Sequence, residues 1–338
     1  MRRRTRPRAW AAAAARRLFE AAPPQRLAGS RIVLGAYTLA YLLPRRRMFA
    51  TVHRTDPALF APVGPVRVLR RPLPAPVADG LVLAELAAAT AFTVGLCHRV
   101  TGPAHAALLL WTVSYRNSWS MIFHSDNTTV LHTVIAGVSP SADAWSVDAL
   151  VRGRRGARTP APHWCYGYPA HVASGVTAVT YWLAGMAKVT GPLGWRWGTG
   201  AALRSQVAAD ALRKEVLGSS AAPLGKALYG HRTPWALAAG PSLAIELGAP
   251  VALLHPRLAR LWAISALGMH WGIKALMDIT FRYQLSGVAY ASLVPWEELD
   301  RLSRVGAGSR LVRSRFCRAD EAAEPKRKWH CRGRRIGT

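Results

Sequence analysis

The stretch YPAHVASGVTAVTYWLAGMAKVT, Tyr168–Thr190, carries no charged side chain before Lys188. A helix of about 20 apolar residues crosses the hydrocarbon core of a bilayer, and this stretch is long enough to do so. The stretch therefore predicts a membrane-spanning helix, with a single lysine at the end of that helix.

Similar hydrophobic segments recur along the whole chain. We find about eight of them, at 28–44, 79–97, 103–115, 121–139, 168–190, 234–254, 258–277 and 281–296. Many of their residues are alanine or glycine, and small residues let helices pack closely within a membrane. We therefore predict an all-α fold, a polytopic helical membrane bundle of about eight spans (seven to nine). A soluble helical bundle with an alanine-rich core is the alternative.

The charge of the chain supports a membrane location. Lys and Arg number 45 against 17 Asp and Glu, which gives a net charge of +28, and 13 tryptophans are present. The basic residues cluster between the apolar segments, at 1–8, 44–49, 151–158 and 326–335. A nucleic-acid-binding domain would distribute its basic residues over the fold. This pattern instead predicts a lipid bilayer with anionic headgroups as partner, no nucleic acid, and a multi-pass protein of the plasma membrane.

The chain divides into three predicted parts. Residues 1–27 form a basic amphipathic segment on the membrane surface, residues 28–300 the transmembrane domain, and residues 301–338 a basic, flexible cytoplasmic tail. The positive-inside rule places both basic termini in the cytoplasm, although the basic link 45–78 argues against that orientation. The Cys and His residues of the tail are too few and too scattered to predict zinc, so we expect no metal.

The longest interruption, 191–233, contains the sequence LRSQVAADALRKEVLGSS. We predict an amphipathic helix lying on the membrane surface or entering it from one side. Its apolar face is expected to carry Leu203, Val207, Leu212 and Val216.

Polar residues mark a first candidate site between Ser114 and Leu150. Asn127 and two histidines, His124 and His132, lie in or beside an apolar run, and Asp148 follows it in WSVDAL. Polar groups in an apolar setting are costly unless they are paired or used. Helix capping and one hydrogen-bonded buried histidine explain each residue singly; the cluster as a whole predicts a site.

A second candidate site lies in YWLAGMAKV, where Tyr181, Gly185 and Lys188 share one helical face. Lys188 has two alternatives. Its side chain reaches the interface and stays charged, or it faces the bundle interior, where the neutral amine is a usable base.

The third candidate site is a ladder in MHWGIKALMDITFRYQ: His270, Lys274, Asp278 and Arg282, each four residues apart. On a continuous helix these side chains form one charged row. The alternatives are a salt-bridge seam or a break between two spans. Glu246, a lone carboxylate within an apolar segment, is expected to pair with one of the ladder cations.

Four short segments resemble a known family when they are taken in order. WSVDAL, YWLAGMAKV, ELGAPVALL and MHWGIKALMDI are similar to segments of the membrane domain of vitamin K-dependent gamma-carboxylases. That domain belongs to the wider horizontally transferred transmembrane (HTTM) family. The resemblance covers about 28–300.

The resemblance implies a lyase-like chemistry in which Lys188 is the base towards a vitamin K-like quinol. It also implies a catalytic histidine, matched by His124 or His132, and a further one at His270. Expected substrate contacts are Asn127, Tyr181, Trp182, Asp148 and Glu246. Two departures weaken the expectation of protein carboxylation: Ala187 replaces a lysine of the family, and only about 40 residues follow Trp296.

The sequence leaves three functions open. The first is a membrane enzyme that acts on a lipid-soluble quinol with Lys188 as base. The second is a transporter or permease with the ladder from His270 to Arg282 and Glu246 lining its path. The third is a non-catalytic membrane partner whose basic ends bind anionic lipid.

Overall fold

The computed structural model describes residue 12 and residues 15–299, apart from the side chain of His124. No β-strand occurs among these residues, and one isolated antiparallel bridge joins Ala22 to His163. The predicted all-α fold is confirmed. The predicted tail, 301–338, lies outside the described residues, as do residues 1–11, 13 and 14 of the predicted surface segment 1–27.

The α-helices of the described part are α1 (Gln25–Val52), α2 (Ala75–Val94), α3 (His98–Asn117), α4 (His124–Val138), α5 (Val147–Arg154), α6 (Trp164–Thr190), α7 (Ala201–Val216), α8 (Pro223–Leu228), α9 (Thr233–Leu247), α10 (Pro256–Met277) and α11 (Arg282–Leu285). Short 3₁₀ helices are Pro57–Leu59, Gly64–Val68, Gly194–Thr199, Ala249–Leu253 and Val288–Leu293.

Each predicted hydrophobic segment coincides with an observed helix or helix pair. The segment 234–254 forms α9 and the 3₁₀ helix Ala249–Leu253, and 281–296 forms α11 and Val288–Leu293. Within the described residues, α1 and α2 are the two helices whose length and composition suffice to cross a membrane. Both helices fit the predicted membrane location by length and composition alone, so that location and the full number of spans stay predictions.

The bundle has two ends, which the loop contacts define. At the first end the carboxylate of Asp148 accepts hydrogen bonds from the amides of Cys97 and His98, each at 2.8 Å. At the second end the hydroxyl of Tyr115 accepts the amide of Leu73 at 2.9 Å. The helices α1–α4 therefore run alternately up and down, and α6 runs from the first end to the second.

Close packing in the bundle depends on small residues, as predicted. Helices α3 and α4 meet at Gly102 and Gly137, where a Cβ added to Gly137 would lie 2.6 Å from the Gly102 carbonyl oxygen. A larger core of aromatic and small residues surrounds α6. Its buried members include Phe92, Ala178, Tyr181, Trp262, Ala266, Tyr283 and Tyr290.

Arg31 on α1 links α2 to the loop between α4 and α5 at the first end of the bundle. Its side chain is fully buried and donates hydrogen bonds to backbone carbonyls of α2 and of the loop between α4 and α5. The acceptors are the carbonyls of Phe92 (2.9 Å), Thr93 (2.7 Å), Ser141 (3.1 Å) and Trp145 (2.6 Å). One guanidinium thus satisfies backbone groups from two separate parts of the chain.

The helix predicted within 191–233 exists as α7, but its predicted apolar face is wrong. Val207 is buried and Leu203 packs beside Trp197. Leu212 and Val216 are instead 63% and 76% exposed. Leu212 follows Leu203 by about two and a half turns of a helix with 3.6 residues per turn, so the two side chains lie on opposite faces.

Candidate functional site

A polar stripe follows the inner face of α6. We call it the α6 seam: Ser174, Thr177, Tyr181, Gly185 and Lys188. The spacing of three or four residues puts all five on one side of the helix, over a length of about 20 Å. The first four are buried, and the side chain of Lys188 is 25% exposed. The seam therefore leads from the bundle interior to its second end.

Lys188 ends the seam in an ion pair with Glu246. Its amine hydrogen-bonds to both carboxylate oxygens of Glu246, a residue of α9 whose side chain is 9% exposed. The nitrogen also lies 4.6 Å from the centre of the Trp197 ring, a cation–π contact. The predicted partner of Glu246 was a ladder cation; the structure gives it Lys188 instead. The pair is neutral as a unit, whether its shared proton resides on nitrogen or on oxygen.

Gly185 provides the room for this pair. A Cβ added there would lie 3.0 Å from the Cβ of Glu246 and 3.0 Å from the backbone nitrogen of Leu247. Because a backbone atom cannot turn aside as a flexible side chain can, α6 and α9 approach closely only through a glycine.

Replacing Gly185 by valine is expected to lower the free energy of unfolding by about 1–3 kcal/mol, the usual range for overpacking. The added methyl groups push α9 away and separate Lys188 from Glu246. Gly175→Val is the matched control, since it lies on the same helix and a Cβ there meets nothing within 4 Å. Unfolding of both variants in detergent, followed by tryptophan fluorescence during an SDS titration, compares them. Equal losses in the two variants would contradict the close approach at Gly185.

Tyr181 and His270 are brought together beside the seam. The Tyr181 hydroxyl lies 2.5 Å from that of Tyr290 and 3.3 Å from Nδ1 of His270. His270 Nδ1 also donates to the carbonyl of Ala266 at 2.9 Å. A predicted catalytic residue and a predicted substrate contact thus share one buried network.

His132 forms a second network one turn away. Its Nδ1 lies 2.6 Å from the Tyr283 hydroxyl, and its Nε2 lies 3.0 Å from the carbonyl of Ala173 and 3.2 Å from Thr177 Oγ1. Since a carbonyl only accepts, Nε2 carries the proton and Nδ1 accepts from Tyr283. A cavity of about 30 Å³ borders His132 and Tyr283, enough for one or two water molecules.

The remaining predicted site residues lie elsewhere. Asn127 is exposed, and Trp182 is 38% exposed on the outer face of α6. Asp148 caps α3 at the first end of the bundle. His124 begins α4, and its side chain lies outside the described part of the structure.

The predicted charged ladder is broken. Helix α10 ends at Met277, and Asp278 adopts a left-handed conformation with φ 49°. Lys274 hydrogen-bonds to Asp278 at 2.5 Å, and this contact lowers the pKa of the Asp278 carboxyl. Arg282 then starts α11. Of the alternatives, the break between two segments describes the structure.

Sequence reasoning missed two buried pairs. Glu85 on α2 and His105 on α3 approach to 3.0 Å with both side chains fully buried. Arg116 on α3 meets Asp126 on α4 at 2.5 Å and the Tyr41 hydroxyl at 2.7 Å. A charged residue inside a predicted span was the available signal for Glu85 and Arg31, whereas Arg116 comes directly after the predicted segment 103–115.

Lys188 lines none of the four cavities described between residues 15 and 299. Among the same residues no group of His, Cys, Asp or Glu is placed to hold a metal ion. The exposed quarter of the Lys188 side chain lies at the second end of the bundle, where a molecule can reach it from the surface.

Comparison of the chain with protein-family models, with curated proteins and with solved structures finds no match. The resemblance to the membrane domain of the gamma-carboxylases therefore stays a prediction from the short segments that carry it.

Proposed function

We propose that this chain is a multi-pass integral membrane protein with an HTTM-type domain, and that it is an enzyme acting on a lipid-soluble, quinol-type substrate. Lys188 is the base, and Glu246 is the carboxylate that holds and stabilises its proton. The contact between Lys188 and Glu246 at the end of the α6 seam is the observation that carries the proposal.

The surroundings of the pair suit a substrate that arrives from lipid. Apolar and aromatic side chains near the end of α6 and in the turn after it are exposed: Trp182 (38%), Leu183 (55%), Leu193 (51%) and Trp195 (72%). In a bilayer such side chains contact acyl chains or the headgroup boundary, where tryptophan is enriched. A quinol dissolved in the bilayer meets this surface before it meets the amine.

The chemistry depends on how the pair shares its proton. When the proton rests on Glu246, the Lys188 amine is neutral and can accept a proton from a quinol hydroxyl. The resulting ammonium then faces the Trp197 ring, which favours positive charge on nitrogen, and it donates a hydrogen bond to the carbonyl oxygen of the protonated Glu246. The quinol anion left behind is a stronger reductant towards oxygen than the neutral quinol.

The membrane setting belongs to the same proposal. The eight helical segments cross the bilayer of the plasma membrane, and basic residues at both ends of the bundle contact anionic headgroups. Tyr181 and His270 support the seam as a hydrogen-bonded unit next to the pair.

Lys188→Arg is expected to abolish quinol-dependent oxygen uptake by the purified protein and to leave the fold intact. Arginine keeps the charge and the contact with Glu246, but its guanidinium stays protonated and cannot act as a base. Lys274→Arg is the control, because Lys274 is also partly exposed and paired with a carboxylate. Uptake is measured with vitamin K hydroquinone in detergent, against a protein-free blank.

Two results would end the proposal. One is a wild-type rate equal to the blank. The other is a Lys188→Arg rate equal to that of wild type and of Lys274→Arg.

A further inference from the structure

A larger cavity, of about 280 Å³, lies between α7, α8 and the C-terminal end of α10. Its walls are mostly apolar, and the side chains that form them include Val207, Ala211, Leu212, Leu276 and Met277. A mostly apolar hollow of this size can accept a hydrocarbon group.

Backbone contacts hold the walls of this cavity in place. A Cβ added to Gly225 on α8 would collide with the carbonyl oxygen of Leu276 and would lie 3.1 Å from Cγ1 of Val207. Lys214 on α7 donates a hydrogen bond to the carbonyl of Met277, which is one of the last carbonyls of α10. The hollow is therefore a built feature of three helices rather than a gap in a loop.

Four basic side chains lie at or beside the mouth of the cavity. Asp210 is already compensated, since Arg213 and Lys214 approach it at 2.6 and 2.9 Å. Lys226 lines the cavity and is exposed. Arg204 lies 4.5 Å from the ring of Tyr229, itself a lining residue.

Arg204 has spare hydrogen-bonding capacity as well. Its Nε is buried and has no hydrogen-bond partner within the described part of the chain. Among residues 15–299, the other acid that lines the cavity is the exposed Glu215. The four cations beside the cavity thus outnumber its two lining carboxylates, and Arg204 and Lys226 are the two cations that are not paired with Asp210.

We propose that this cavity binds one anionic phospholipid, with the end of an acyl chain between α7 and α10 and the phosphate on Lys226 and Arg204. Burial of the chain removes apolar surface from water, and each basic residue near the headgroup adds attraction to a negative lipid. Leu212, Val216 and Leu217, all more than 60% exposed, continue the apolar surface out of the cavity mouth. A zwitterionic lipid gains the apolar contacts but not the net attraction.

The proposal uses the membrane location proposed above but not the chemistry at Lys188. Lipid retention and oxygen uptake are separate measurements, so either can fail while the other holds.

Native mass spectrometry of the purified full chain, mixed with phosphatidylglycerol or phosphatidylcholine, tests the site. Wild type is expected to retain one phosphatidylglycerol in preference to phosphatidylcholine. Lys226→Gln and Arg204→Gln are each expected to weaken that retention about fivefold, which is what about 1 kcal/mol per basic residue implies. Ala208→Leu, which fills the cavity, is expected to reduce retention of both lipids. Arg196→Gln is the control, since Arg196 is exposed and does not line the cavity.

Three outcomes would overturn the site. If wild type retains the two lipids equally, the basic residues at the cavity do not select an anionic headgroup. If Lys226→Gln and Arg204→Gln retain as much phosphatidylglycerol as Arg196→Gln does, Lys226 and Arg204 do not bind the phosphate. If a third mixture, with oleate, shows oleate retained while phosphatidylglycerol is not, the site binds a free fatty acid rather than a phospholipid. Tryptophan fluorescence during heating confirms that each variant is folded before it is compared.

Discussion

Replacing Arg31 by methionine is expected to lower the free energy of unfolding by about 4 kcal/mol, since each buried polar group left without a partner costs about 1–3 kcal/mol. Methionine fills most of the same space but donates no hydrogen bond. The carbonyls of Thr93, Ser141 and Trp145 then lose the Arg31 donor, whereas the carbonyl of Phe92 keeps the amide of Gly95. The lost hydrogen bonds are those through which Arg31 holds α2 and the loop between α4 and α5 together.

Arg46→Met is the matched control for this variant. Arg46 lies on the same helix, α1, and is exposed, so its replacement is expected to change stability by less than about 0.5 kcal/mol. An SDS titration followed by tryptophan fluorescence measures both variants. If Arg31→Met unfolds at the same midpoint as Arg46→Met, the four hydrogen bonds do not stabilise the fold as the structure implies.

The helical segments could be predicted because each depends on local composition. A run of apolar residues predicts a helical segment whatever that segment packs against, and all eight runs coincide with helices or helix pairs. The segments 234–254 and 281–296 were each predicted as one helical stretch, whereas the structure divides each of them into an α-helix and a 3₁₀ helix. The break at Asp278 was one of the alternatives, because a ladder of charges does not by itself fix where a helix ends.

The pairing of site residues could be predicted only in part. The face of α6 that carries Tyr181, Gly185 and Lys188 is set by helical spacing within one segment. Helical spacing does not determine which residues contact Lys188, because Glu246 and Trp197 reach it through the packing of α6 against α9 and the turn after α6. Local spacing cannot order such contacts between distant segments.

Some buried polar contacts that were not predicted involve a charged residue that is visible in the sequence of a predicted span. Arg31 and Glu85 each interrupt a predicted span, and a charge within a span needs a partner. Asp148 shows how two interpretations stay open: its place in WSVDAL suggests a substrate contact, and capping was the alternative. In the structure both of its oxygens accept backbone amides, those of Cys97 and His98. The amides that Asp148 caps belong to a distant part of the chain, so they cannot be predicted from the sequence around Asp148.

The Glu85–His105 pair is the second place where a large effect is expected. Both side chains are fully buried between α2 and α3, and the Phe92 ring centre lies 4.8 Å from that of His105. Although Oε1 and Nδ1 approach to 3.0 Å, neither residue makes a well-aligned hydrogen bond within the described residues. Burial of two such groups is costly, and their mutual attraction offsets that cost only while both are present.

Glu85→Leu and His105→Leu are therefore each expected to destabilise the fold by about 3–5 kcal/mol, because each leaves a buried titratable group without its partner. The double variant is expected to be close to wild type or more stable, since leucine fills similar volume and leaves no polar group behind. The sign of the coupling in this cycle is the decisive quantity. The same cycle on the exposed pair Lys274–Asp278 should give about 0.2–0.5 kcal/mol. If the losses of the two buried single variants simply add in the double variant, Glu85 and His105 act as independent packing residues and do not compensate each other.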